Sequence, residues 1–284
     1  MRSIFYILFI VCILCFPGIV LGQNIVAIYT PGLDFQDGNA RNQYINQIAQ
    51  VLSDKTGMNW QGKSYARSSD FESNVSSVDV AILDADYYSI KNNGFQPVAM
   101  LSAGGQTKRP LKLITRKGNS DKLYQYKSKR LTVAAPSSQT FAFITSSALG
   151  NEAKATDYFS TVDDARDTRA AINAVEMGNA DLTLVFDGYD KGFTTIYTTP
   201  PVGLPVVAAN TKRLSGDQLK TVKSALQNIS LKTSTFITGT TSYDESSAHA
   251  YKTIAQTKKT TLSFQPSEPE NYKFKPSSIS LKPD

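Results

Sequence analysis

The chain is poor in the residues that carry most covalent and metal chemistry. Its 284 residues hold two cysteines and one histidine. Both cysteines, Cys12 and Cys15, fall within the first 22 residues. Without that segment the chain has no thiol, which excludes a disulfide framework, a cysteine-bound metal and a cysteine nucleophile. The histidine, His249, lies near the C-terminal end, beyond the regular strand and helix pattern, so a Ser-His-acid site has no other candidate base. No lysine stands three positions after a serine, and the motifs G-x-x-x-x-G-K-[ST], G-x-G-x-x-G and H-E-x-x-H are absent. These absences argue against an enzyme, and no cofactor is expected. Beyond the first 22 residues no segment is apolar enough to span a bilayer.

The one long apolar run opens the chain. Arg2 precedes an apolar stretch from Ile4 to Phe16, followed by small or turn residues up to Gly22. This is a secretory signal pattern, so residues 1–22 are expected to be a signal peptide. A retained membrane anchor is the alternative, but the run is short and broken by Pro17–Gly18. Val11 and Leu14 precede the two cysteines where a bacterial lipoprotein signal needs a small residue. The expected product is exported, periplasmic or otherwise extracytoplasmic, and soluble after cleavage. Cleavage would take only Arg2 from the 30 Lys+Arg set against 24 Asp+Glu. The basic stretch Lys122–Arg130 reads as solvated surface, and no nucleic-acid partner is expected.

The remaining chain alternates short apolar runs with helical periodicity. Asn24–Tyr29, Asn59–Ala66, Val78–Leu83 and Pro97–Leu101 read as strands, with helices around Tyr44–Leu52 and Ser68–Ser76 between them. A second series follows: strands at Leu111–Thr115, Leu131–Ala135 and Asp181–Phe186, and a helix through Ala165–Val175 with a capping-box spacing at Thr161–Asp164. Val206–Ala209 and an amphipathic helix at Leu219–Ile229 close the pattern, with one more helix expected over Asp244–Gln256. Alternation of this kind implies an α/β fold of two lobes, each a mostly parallel sheet flanked by helices. The expected division is lobe 1 at 23–105 and 207–262, lobe 2 at 106–206, and an irregular tail at 263–284. The joining segments Ser102–Lys112 and Pro201–Asn210 would act as hinges.

Such sheets bind ligands beyond the carboxyl ends of their strands. The polar or aromatic turns there are Thr30–Gly32, Asp84–Tyr87, Ser137–Thr140 and Asp187–Asp190. The third is the most telling. Leu131–Ala135 is an apolar strand ended by Pro136; then come Ser137, Ser138, Gln139 and Thr140, and a helix marked by Phe141, Phe143, Ile144 and Ala148. Hydroxyls and free N–H groups at the positive end of a helix suit an anion or a polar ligand head. Ser138 acting only as an N-cap is the plain alternative. The candidate ligand-binding set is Thr30, Asp84, Tyr87, Ser137, Ser138, Gln139, Thr140, Asp187 and Tyr189.

Four stretches in this order resemble the type II periplasmic solute-binding proteins, in their phosphonate- or phosphite-binding branch: VDVAILDADYY at 78–88, LTVAAPSSQTFAF at 131–143, DTRAAINAVEMGNADLTLVFD at 167–187 and PPVGLPVVAAN at 200–210. The resemblance covers most of 24–229. It implies a two-lobed periplasmic-binding-protein-like fold that captures a small polar ligand, phosphonate- or phosphite-like and anionic, for an ABC transporter permease, with the protein acting as a monomer. The family's Ser-Thr-Ser-Gly turn is replaced by Ser137-Ser138-Gln139-Thr140, with Phe141 following. A family tyrosine near the first crossover has its counterpart in the stretch Gly104–Lys108. Two other functions share this fold: a ligand-sensing partner of a membrane receptor, and a metal-binding protein using Asp84, Asp86, Asp187 and Asp190, with Tyr87–Tyr88 resembling the phenolate pair of ferric-binding relatives.

Overall fold

The computed structural model describes residues 22–91, 94–227, 229–231 and 236–257, and leaves aside the side chains of residues 161–163. Apart from Gly22, the expected signal peptide lies outside the described residues, as does the expected tail at 263–284.

The first sheet begins with β1 (Asn24–Tyr29), whose last four residues are all buried. Helix α1 (Gly38–Thr56) follows. Asp37 caps it by accepting from the Ala40 N–H, and its inward face is Tyr44, Ile45, Ile48, Ala49 and Leu52. Gly57 ends it in the left-handed region at φ 69°, where a side chain would be strained. Then come β2 (Trp60–Ser64), α2 (Ser68–Asn74), β3 (Val80–Leu83), α3 (Ala85–Ile90) and β4 (Phe95–Ser102). All four residues of β3 are buried. At about 1.5–3 kcal/mol for each large apolar side chain, this strand is a main anchor of the lobe.

The chain then crosses through β5 (Lys108–Arg109) to the second sheet: β6 (Leu111–Arg116), β7 (Arg130–Ala134), α4 (Ser138–Ser147), α5 (Ala155–Tyr158), β8 (Thr161–Ala165), α6 (Thr168–Glu176), β9 (Leu182–Phe186) and β10 (Phe193–Thr198). It returns through β11 (Val202–Gly203) to β12 (Val206–Asn210), α7 (Gly216–Leu226), β13 (Gly239–Ser242), α8 (Glu245–Ala248) and α9 (Ala250–Ala255).

The six-stranded sheet has the order β13-β4-β12-β3-β1-β2, and the five-stranded sheet β10-β6-β9-β7-β8. Strands β1, β2 and β3 pair in parallel, while β12 is inserted between β3 and β4 and runs antiparallel to both. In the second sheet β7 pairs in parallel with β8 and β9, and β6 is the reversed strand. Both sheets are therefore mixed: most strands run one way, with β12 and β13 reversed in the first sheet and β6 in the second.

Two local expectations are corrected. Thr161–Ala165 is edge strand β8, not a helix start; α6 begins at Thr168, where Asp167 accepts from the Ala170 N–H. The expected helix over Asp244–Gln256 is two short helices that meet at His249.

The joining segments pair with each other. Strand β5 lies antiparallel to β11, with Gly203 opposite Lys108. A Cβ at Gly203 would stand 2.2 Å from the Ser247 carbonyl oxygen, so only glycine fits under the turn that carries α8. Helix α9 packs on α4, with the Tyr251 and Phe143 rings 4.8 Å apart. The C-terminal part of the described chain thus leaves the first sheet and buttresses the second.

Candidate ligand-binding cleft

The carboxyl ends of β1 and β3 face those of β7 and β8. Between them lie two adjoining chambers. The inner one, about 40 Å³, is lined by Gly32, Asp84, Asp86, Thr140, Thr168, Phe186 and Tyr251 among others. The outer one, about 220 Å³, is lined by Tyr29, Pro31, Ser68, Glu72, Tyr87, Ala135, Ser137 and Asp164. Asp84 and Asp86 belong to both and form part of the wall between them.

Asp84 follows the last residue of β3 and precedes α3. Its Oδ2 accepts from the Gly32 N–H at 2.8 Å. A Cβ on Gly32 would sit 3.1 Å from that oxygen, so glycine permits the approach. Asp84 Oδ1 is buried with no partner. Asp86, two residues on, accepts from the Tyr87 N–H at 2.8 Å and from the Thr140 hydroxyl at 3.3 Å. Burial and the neighbouring Asp86 push the Asp84 carboxyl well above the usual carboxylate range. Burial also raises Asp86, against the pull of its two donors. The Tyr29 phenol is pushed up to about 12 by burial and by the charge of Asp84.

The turn at 137–140 is largely occupied with itself. Ser137, not Ser138, is the N-cap of α4: its backbone is extended at φ −114° and ψ 168°, and its hydroxyl accepts from the Thr140 N–H. Thr140 Oγ1 accepts in turn from the Ser137 N–H at 3.0 Å, completing a capping box. Gln139 leaves the helix end and accepts from the Ser89 hydroxyl across the cleft at 2.9 Å. Ser138 is exposed. Just before this turn, Ala135 holds φ 38°, a left-handed conformation that costs an alanine about 1 kcal/mol. That strain lies in the wall of the outer chamber.

Of the nine candidates, Asp84, Tyr87, Ser137 and Thr140 line the chambers. Tyr87 stands edge-on to Tyr29 and donates its hydroxyl to Glu72 at 3.0 Å. Thr30 is buried beside the cleft with its hydroxyl unpartnered. Asp187 and Tyr189 lie elsewhere. Asp187 meets the Lys112 ammonium at 2.8 Å, as does Asp190 at 2.7 Å. Tyr189 packs on Phe236 and accepts from the Asp34 N–H at 3.1 Å. Both residues follow a strand end, but a cation on β6 and a ring from residue 236 engage them. Tyr29, Glu72, Asp164 and Tyr251 were not among the candidates, and Asp86 was named only for the metal-binding alternative. The Asp-x-Asp spacing after β3 was the one available signal for Asp86; the others reach the cleft only through packing. Among the described residues no group of three or more His, Cys, Asp or Glu could hold a metal ion.

The two sides touch around the cleft. The Thr168 hydroxyl donates to the Gly32 carbonyl at 2.9 Å, and its N–H to the Pro31 carbonyl at 2.9 Å. The Arg169 guanidinium pairs with Asp34, whose side chain is 5% exposed.

A family model described as "ABC transporter, phosphonate, periplasmic substrate-binding protein" matches residues 35–260. The chain belongs to this family. This substrate-binding protein is thus a transport component and not an enzyme. No curated protein matches it. Among solved structures it is similar to a binding-protein component of an ABC phosphonate transporter from Pseudomonas aeruginosa (TM-score 0.65, 11% identity, 82% of this chain and 85% of that one). It is also similar to PhnD1 from Prochlorococcus marinus in complex with methylphosphonate (TM-score 0.64, 11% identity, 82% and 96%). A more distant likeness is to arginine-bound ArgBP from T. maritima (TM-score 0.50, 12% identity, 72% and 94%). At these identities the likeness is one of fold. Among the described residues no helix is long and apolar enough to cross a membrane.

Proposed function

We propose that this substrate-binding protein captures one small polar ligand in the two chambers between its sheets and presents it to an ABC permease outside the cytoplasm. The observation that carries this is the cleft built on Asp84, Asp86, Ser137 and Thr140, residues of the strand-to-helix turns that follow β3 and β7, one from each sheet. Strand ends facing one another across a hinge are a general basis for ligand capture by closure. The bonds from Thr168 to Pro31 and Gly32, and from Arg169 to Asp34, would form as the lobes close.

The narrower expectation, an oxyanion, has the family description and Ser137 in its favour. The neighbours hold methylphosphonate in one case and arginine in another, so the fold does not choose the sign of charge. The residues of this chain must choose it, and the function proposed is capture of a small polar ligand of either sign.

The test is thermal-shift and calorimetric screening of the mature protein against small anions, amines and zwitterions. A ligand that binds the wild type and not a cleft-filling Ala134→Trp variant of normal fold supports the proposal. Ligand binding that survives this filling sinks it.

A further inference from the structure

The two chambers are lined by acidic side chains. Asp84 and Asp86 stand in the wall of both chambers, and Glu72 and Asp164 line the outer one. Among the described residues the one cation lining these two chambers is Lys91, paired with Glu72 at 2.5 Å. The helix end expected to hold an anion spends two hydroxyls and two N–H groups on its own capping box.

Two features show how the carboxylates are held. The donors around them, the Gly32 and Tyr87 N–H groups and the Thr140 hydroxyl, all point at carboxylate oxygens and favour the ionised form, against the burial that raises both carboxyls. Asp84, 9% exposed, nevertheless leaves Oδ1 buried in the cleft wall with no donor. A buried carboxylate oxygen without a donor is costly; protonation relieves that cost in the empty cleft, and an ammonium or guanidinium N–H would relieve it in the occupied one. A cation there would also offset the repulsion between Asp84 and Asp86. Within these two chambers a bare oxyanion would meet the carboxyl groups of Asp84, Asp86, Glu72 and Asp164, while Arg67 and Arg166 line a neighbouring space that shares Tyr29, Ser68, Ala135 and Asp164 with the outer chamber.

We propose that the ligand of this cleft presents a cationic nitrogen, an amine or guanidine, to Asp84 and Asp86. This rests on the cleft being the capture site and adds the ligand's chemical class. Tyr29 and Tyr87 supply aromatic wall beside the cation, and the inner chamber, about 40 Å³, admits little more than its nitrogen head.

The experiment is isothermal titration calorimetry on the mature protein at neutral pH. One probe set is small primary amines and guanidines: ethanolamine, 1,4-diaminobutane, agmatine and arginine. The other is methylphosphonate and inorganic phosphate. The expected result is at least one nitrogen probe binding about tenfold or more tighter than either anion. Asp84→Asn should lose about 30-fold or more of that affinity with its melting transition intact. Asp86→Asn is the second variant should the first fail to fold. Methylphosphonate or phosphate binding in the cleft as tightly as every nitrogen probe would overturn the assignment and leave the capture function standing. So would amine binding unchanged in both variants. No binding by any probe, of either set, would count against both.

Discussion

The Gly32 N–H donates to Asp84 Oδ2 at 2.8 Å, and this single bond ties the end of β1 to the end of β3 at the centre of the cleft. It also fixes which carboxylate oxygen is left over, because Oδ1 then has no partner. Replacing Gly32 by Ala puts a Cβ 3.1 Å from Oδ2. The expected outcome is a displaced carboxylate and ligand affinity weakened about tenfold, with a stability loss on the order of 1 kcal/mol. Calorimetry and a urea melt on the same variant measure both. Unchanged affinity would show that Asp84 is not held where binding needs it.

The raised Asp84 carboxyl makes a prediction about stability and pH. A group whose folded pKa lies above its unfolded value binds more protons in the folded state. Its contribution is therefore favourable at low pH and is lost as pH rises from the ordinary carboxylate range through the raised value. Asp84→Asn removes that loss. The unliganded variant should gain stability relative to wild type as pH rises from 4 to 8, on the order of 1 kcal/mol for each unit by which the carboxyl is raised. Denaturant melts across this range read it, and parallel curves for the two proteins would refute it.

Arg169 belongs to the second sheet's side and Asp34 to the first, so their ion pair is made only when the lobes are together. Asp34 is buried while Arg169 is about two-fifths exposed, which places the pair between a surface and a buried one. Arg169→Ala should weaken ligand binding by about tenfold and enlarge the radius of gyration of the unliganded protein in X-ray scattering. Equal scattering from the two proteins would show that the pair does not hold the lobes.

Ser137 is predicted to matter for stability as well as for the cleft. Its hydroxyl caps α4, and Ser137→Ala should cost about 1 kcal/mol. Ser138 is exposed, so Ser138→Ala should be nearly silent in the same melt. Equal effects at the two positions would contradict the capping geometry.

Gly203 sits where β11 passes beneath the turn carrying α8. Gly203→Ala would force backbone apart, since its Cβ would be 2.2 Å from the Ser247 carbonyl. A loss of about 2 kcal/mol or more is expected. Hydrogen exchange should show the loss as weakened protection in β5 and β11 and not in β1.

The alternation of apolar strands and amphipathic helices was legible in the chain alone, because buried strands such as Val80–Leu83 and helix faces such as Tyr44–Leu52 declare themselves by period. The strand–turn–helix at 131–147 was legible too, as was the polar character of the turns after β1 and β3. These are local properties: hydrophobic spacing, a proline stop, a serine that can cap.

Other features were decided only by contacts between distant segments. Which serine caps α4 depended on backbone geometry that two adjacent serines do not announce. Thr161–Asp164 has the spacing of a capping box, yet it pairs with Arg130–Val133 as an edge strand. Asp187 and Tyr189 follow a strand end as the residues lining the chambers do, but Lys112 and Phe236 engage them. The sign of the cleft's charge was decided in the same way. Asp84 and Asp86 are neighbours at the start of α3, but Glu72 on α2 and Asp164 on β8 come from other elements, and packing gathers all four carboxyl groups around one space. Periodicity is written along the chain, whereas a carboxylate's partners and its desolvation exist only once the chain has closed on itself.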